Sequence, residues 1–399
     1  MMTEGPLAGV TVIEAGSLIA GPYCGQLLGD LGARVIKIEP PVTGDAFRTW
    51  GEHSDDGDGV WWATLGRNKE SVTLNLRTPQ GQDIFRDLCA KADVLVENFR
   101  PGTLAKWGIG PATLMAENPR LIVAQVSGYG QTGPYAQRAG YASIGEAMAG
   151  LRHITGYPDR APVRVGISLG DSMAGIFSTI GVLAALNERH ASGNGQTVDT
   201  SIYESVLALS ESMLPDYSMF GKVRERSGPV LAGIAPSNAY ETRDGASVLI
   251  AANQDTVFKR LCTIMERDDL IYDEQFATHG ARGANMELID SIIEDWTRTI
   301  ESNELLDVLA NGGVPAGRVN RAPEILADPQ VIDRESVAWV EDPNLGRMPM
   351  PNVTPRLGRT PGSIRTTGPQ LGEHTDSVLR DVLGYTDDAI EGLHANAHI

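Results

Sequence analysis

The first forty residues constrain the fold of this chain more than any other stretch. "VTVIE" at residues 10–14 is a β-branched apolar run, and residues 16–21 form a loop bounded by Gly16 and Gly21. Pro22 opens a helix that ends near Gly32, and "RVIKIE" at residues 34–39 is a second strand. Two parallel strands need a crossover between them, and a helix supplies it, so this order predicts a parallel βαβ unit.

The alternation then continues. Thr78 and Pro79 supply an N-cap and a first helical position for a helix through Ala90. Residues 93–97 and 121–126 read as further strands, the second running into the Gly-rich turn "SGYGQTGP" at 127–134. Alternation of this kind predicts an α/β fold, a doubly wound sheet with helices on both faces and ligands outside the carboxyl ends of its strands. A long apolar helix follows Asp171, residues 193–195 break the chain, and a strand (196–201) and helix (203–213) come next. Residues 221–238 are rich in Gly, Pro and charge and read as a linker. Residues 239–325 read as a smaller α+β block with a strand at 247–251 and helices near 255–267 and 299–311. The proline-rich stretch 342–372 is expected to run extended over a surface.

Charge bounds the partners. The 399 residues carry a net charge of -18, which disfavours non-specific binding to nucleic acid or anionic membrane. An anionic ligand must then meet a local basic cluster. Arg67, Lys69, Arg77, Arg100 and Lys106 crowd the first third of the chain, and they either converge on phosphates or stand as separate solvated charges. Residues 1–7 show no basic or apolar leader, and the most apolar run, about 174–186, is too short to span a bilayer. Cys24, Cys89 and Cys262 lie far apart, as inert thiols of a reducing compartment do. A cytoplasmic protein is expected. The histidines show no HExxH spacing, which points away from a metal.

Two features have more than one reading. The 16–21 loop, "GSLIAG", is either a plain strand-to-helix turn or a diphosphate cradle, and Glu39 stands where an acid holds the ribose in dinucleotide sites. A nicotinamide-dependent oxidoreductase therefore stays open. Asp171, within "GISLGDSMAG" at residues 166–175, is either an N-cap or a nucleophile kept ionised by helix-start N–H groups and the helix dipole.

Nine ordered blocks carry a resemblance. They are "PLAGVTVIEAG", "LGDLGARVIKIEP", "GDAFR", "NKESVTLNLRTPQG", "ADVLVENFRPGTLAKWGIG", "PRLIVAQVSGYGQTGPYAQRAGY", "GISLGDSMAG", "GNGQTVDTSIYES" and "LGEHTDSVL". With them the chain resembles the class III CoA-transferases, a group that also contains α-methylacyl-CoA racemase. The resemblance implies an interlocked homodimer with a Rossmann-like large domain that takes both chain ends, residues 1–220 and 326–399. It implies that Asp171 is the nucleophile. It places coenzyme A contacts at Ala20, Leu74, Arg77, Asn98, Phe99, Arg100, Lys106, Arg138 and Tyr141. Coenzyme A enters as the acyl-CoA substrate, with no metal or redox cofactor, and helix-start and glycine-turn N–H groups are expected to meet the oxyanions.

The chain also departs from formyl-CoA transferase. Ile19 stands in place of a glutamine, Pro40 in place of an adenosine-contacting arginine, and residues 228–240 lack the tetraglycine lid. These departures point away from formate and oxalate and toward dicarboxylates, for which Arg48, Arg164 and His374 are candidate carboxylate partners. A racemase of the same fold is the main rival. Gly140-Tyr141-Ala142 stands where racemases carry Gly-His-Asp, so the histidine base is missing.

Overall fold

A computed structural model describes residues 5–52 and 59–399. Met1 to Glu4, part of the stretch read for a leader, and His53 lie outside them. The described residues divide into two compact units, one of Met1–Arg152, Arg164–Ser218 and Ile332–Ile399, the other of His153–Val163 and Met219–Val331. The second unit thus runs wider than the 239–325 block read from the sequence.

The first unit is built on six strands: β1 (Thr11–Ala15), β2 (Arg34–Glu39), β3 (Lys69–Thr73), β4 (Val94–Glu97), β5 (Ile122–Ser127) and β6 (Thr197–Ser201). All pair in parallel, in the order β3-β2-β1-β4-β5-β6. Alternate side chains feed two cores, as the two-residue period of a strand requires. Ile13, Ile36, Leu95 and Val123 pack with Ile84, Phe85 and Leu88 on one face, together with Val378, Leu379 and Ile390 from the C-terminal region. Val12, Val35, Val94, Ile122 and Ala124 pack with Cys24 and Leu28, and with Val182, Ala185 and Leu186, on the other.

Val182, Ala185 and Leu186 belong to the helix Leu169–Ser192. Its 24 residues are long and apolar enough to cross a membrane by length and composition, which corrects the reading of a run too short to do so. Here that apolar face covers the sheet. The first helix begins at Ala20, two residues before Pro22. The helix expected over 203–213 divides into Ile202–Leu207 and Met213–Phe220. Between them Glu211 takes a positive φ of 50°, a conformation a helix cannot contain.

In the second unit β7 (Ser237–Glu241), β8 (Ser247–Ala251) and β9 (Ala316–Arg318) form an antiparallel sheet. Val248, Ile250, Phe258, Leu261, Ile289, Ile293, Leu305 and Leu309 form its core. Part of the stretch expected to run extended is a paired strand of the first unit, β11 (Gly346–Pro351), in a hairpin with β10 (Val337–Asp342).

Candidate active site

The sheet order reverses between β1 and β4, both of which pair with neighbours on opposite sides. Loops leaving the two strands part there and open a crevice. A cavity of about 200 Å³ occupies it, lined by Ser17 and Leu18 after β1, Asn98, Phe99 and Arg100 after β4, and Gly128 after β5. Ala20, Arg138, Tyr141 and Asp171 also line it.

Each wall has a local cause. The Asn98 side chain clamps the first loop, accepting from Ser17 N–H and donating to Ser17 O, both at 2.8 Å. A Cβ on Gly16 would stand 2.9 Å from Asn98 Oδ1, so the clamp requires glycine there. Beneath the loop, Lys37 Nζ reaches Gly16 O (2.9 Å), Glu14 (2.9 Å) and Asp45 (2.8 Å), and Asp45 accepts from Leu18 N–H at 3.0 Å. Burial pulls the Lys37 pKa down, but Glu14, Asp45 and Glu39 together raise it, so the ammonium stays charged. The opposite wall depends on two glycines: a Cβ on Gly128 would lie 2.8 Å from Gly140 Cα, and one on Gly140 would lie 2.9 Å from Gly128 Cα. Their contact brings the Arg138–Tyr141 segment against the end of β5.

Asp171 sits in the first turn of the helix Leu169–Ser192, whose N-cap residue is Ser168. The aspartate is therefore not the cap, and its carboxylate accepts no hydrogen bond among the described residues. Burial pushes the Asp171 carboxyl up to about 6; the neighbouring Glu146 carboxylate adds to the rise and the Arg164 guanidinium opposes it. The expectation of helix-start N–H groups holding this acid ionised is corrected: burial is the largest influence on it and raises its pKa. The Gly170 N–H, expected to be open to an oxyanion, donates to Glu146 Oε1 at 3.1 Å.

The cavity thus brings together Asp171 with Ala20, Asn98, Phe99, Arg100, Arg138 and Tyr141. Three expected contacts stand outside its lining. Leu74 is buried in the core beyond β3, an edge strand two places from β1, and Arg77 is exposed just after it. Lys106 ends the short helix Thr103–Lys106 and faces solvent. Within the basic cluster, Arg67 pairs with buried Asp30 at 2.6 Å and Lys69 with buried Glu14 at 2.9 Å, so neither is available to a phosphate.

Two groups that the dinucleotide reading drew on are engaged within the protein. The Ser17 and Leu18 N–H groups are engaged by Asn98 and Asp45. Glu39 is buried against Arg48 at 2.6 Å and accepts from Asp45 N–H at 2.9 Å. That pairing also removes Arg48 as a substrate partner, since its guanidinium lies 3.8 Å over the Trp62 ring. His374 lines a separate cavity with Asn68 and Lys69. Of the three candidates, Arg164 stands by the Asp171 carboxylate, donating to Ser168 Oγ at 3.1 Å. Two of the buried acids not singled out from the sequence stand next to residues of this cavity. Glu146 is one, and its signal was a lone charge in the small-residue run "ASIGEAMAG". The other is Glu97 at the end of β4, which burial pushes up to about 7 against hydrogen bonds from Gln125 and the Phe99 N–H.

The family model CoA-transferase family III matches residues 7–375. The chain belongs to that family. The transferase is 51% identical over 390 residues to a succinyl-CoA–D-citramalate CoA-transferase of Chloroflexus aurantiacus, covering 98% of this chain and 97% of that one. It is 33% identical to the human succinyl-CoA:glutarate CoA-transferase, covering 97% and 88%. Among solved structures, a CAIB/BAIF family protein from Brucella suis matches with a TM-score of 0.84 and 34% identity, over 95% of the transferase and all of that chain.

Proposed function

We propose that the transferase moves coenzyme A from succinyl-CoA to a second dicarboxylic acid through a covalent intermediate on Asp171. The observation that carries this reading is the cavity itself: Asp171, free of hydrogen-bond partners among the described residues, shares it with Arg100 and Arg138 at the switch point of the sheet. The relatives named for citramalate and glutarate support a dicarboxylate acceptor.

The chemistry balances without an added proton or electron. The Asp171 carboxylate attacks the thioester carbonyl, forming an acyl–oxygen bond while the carbon–sulfur bond breaks and coenzyme A leaves as thiolate. The thiolate attacks the aspartyl carbonyl, releasing the first acid and leaving an aspartyl–CoA thioester. The acceptor carboxylate then displaces the thiolate to form a second anhydride. Thiolate finally takes the acceptor acyl group and restores Asp171. The cavity's part is to keep thiolate and acid in contact and water away from the anhydrides.

The enzyme works in the cytoplasm as an interlocked homodimer of these Rossmann-like chains. Exposed apolar side chains at Tyr217, Met219 and Phe220 support a partner chain. The test is turnover of succinyl-CoA with a panel of dicarboxylates, with hydroxylamine added and peptides read by mass spectrometry. An aspartyl hydroxamate at Asp171 is expected. Turnover without it, or deuterium entering the α-carbon of an acyl-CoA with no acceptor present, overturns the covalent transferase reading.

A further inference from the structure

We infer that Glu146 is a positioning residue of the transfer reaction, holding the peptide group that precedes Asp171 and setting a negative charge beside the nucleophile. The inference rests on Asp171 being the nucleophile. Glu146 lies on the helix Ala142–Met148 and is only 1% exposed. Its Oε1 accepts the Gly170 N–H at 3.1 Å. The fit around that peptide is close, since a Cβ on Gly170 would stand 3.1 Å from both Ala142 O and Ile202 Cγ2. The start of the helix carrying Asp171 is thus seated on the Glu146 segment and cannot shift without breaking the hydrogen bond.

The residue type is the telling part. A buried carboxylate is costly unless well paired, and a glutamine would accept the same N–H without that cost. The compensation is thin: besides the amide, the closest cation is Arg152, whose Nη2 is 3.7 Å from Oε2, too far for a hydrogen bond. A charge kept under these conditions has a use that the hydrogen bond alone does not explain. Its neighbour is Asp171, whose acidity it weakens in addition to burial and against Arg164. A more basic carboxylate is a stronger nucleophile as long as it remains ionised at the working pH. The other ionisable groups around this corner are Arg100, Arg138 and Tyr141 across the cavity and Tyr203 and Glu204 on the helix Ile202–Leu207. Glu204 is engaged with Ser201.

The two roles separate in two variants of the full-length enzyme, assayed by exchange of ¹³C-succinate into succinyl-CoA. Glu146→Gln keeps the acceptor and removes the charge. Its kcat at pH 8 is expected to stay within about threefold of the parent, while the acid limb of its kcat/KM profile moves down by roughly half a pH unit or more. Glu146→Ala removes both, and kcat is expected to fall at least about tenfold with KM for succinyl-CoA little changed. Hydroxamate formation at Asp171 should slow in step. An unmoved acid limb in folded Glu146→Gln, or parental kcat in folded Glu146→Ala, overturns the inference. If Glu146→Ala fails to fold, the Glu146→Gln profile decides. Activity surviving in Asp171→Asn marks failure of the nucleophile reading instead, which keeps the two apart.

Discussion

Asp171 is held in the folded chain at a cost that its own replacement removes. Its ordinary value of 3.8 rises to about 6 on burial, so the folded state binds a proton more tightly than the unfolded one. Stability from this group is fully present below pH 4, declines as pH rises through 6, and stays level above. Asp171→Asn should therefore raise stability at pH 7 by about 2 kcal/mol, seen as a higher melting temperature, with the gain shrinking as pH falls toward 4. The same variant should lose activity by a factor of about 10³ or more. Wild-type kcat/KM should fall below about pH 6 as the carboxylate protonates. The sequence made the place of this residue legible through its glycine-flanked turn, but not its ionisation. That depends first on burial and then on Glu146 and Arg164, none of which sequence spacing brings to Asp171. Arg100 and Arg138 share its cavity, and Arg138→Ala should raise KM for the acyl-CoA by about tenfold, corresponding to one charge-assisted contact.

The loop after β1 shows what an element needs from below. Its place in a βαβ unit was legible from the hydrophobic pattern, because strands buried on both faces read as continuous apolar runs. Its rigidity was not, because that comes from Lys37, a charge inside one of those runs, and from Asp45, which enters from a later turn. Lys37→Met leaves Asp45 buried without its cation and Glu14 with Lys69 alone. The variant should lose about 3 kcal/mol or more in urea unfolding. Amide exchange at Ser17 and Leu18 should quicken, since one of the two clamps on that loop loosens. The helix expected over residues 203–213 shows the converse limit. Apolar spacing runs through Glu211, and only its backbone conformation divides the segment.

At the scale of the whole molecule, Phe220 is 82% and Met219 72% exposed, side chains that water alone covers poorly. Sedimentation should find two 42.7 kDa chains together at micromolar concentration, and a monomeric species with full activity would refute the paired assembly. The chain also passes between its units at residues 152–153, 163–164, 218–219 and 331–332. One face of the first sheet is finished only by Val378, Leu379, Ile390, Leu393 and Ile399. During synthesis, then, a chain grown to residue 331 carries every residue of the second unit while one face of the first sheet still lacks those five side chains.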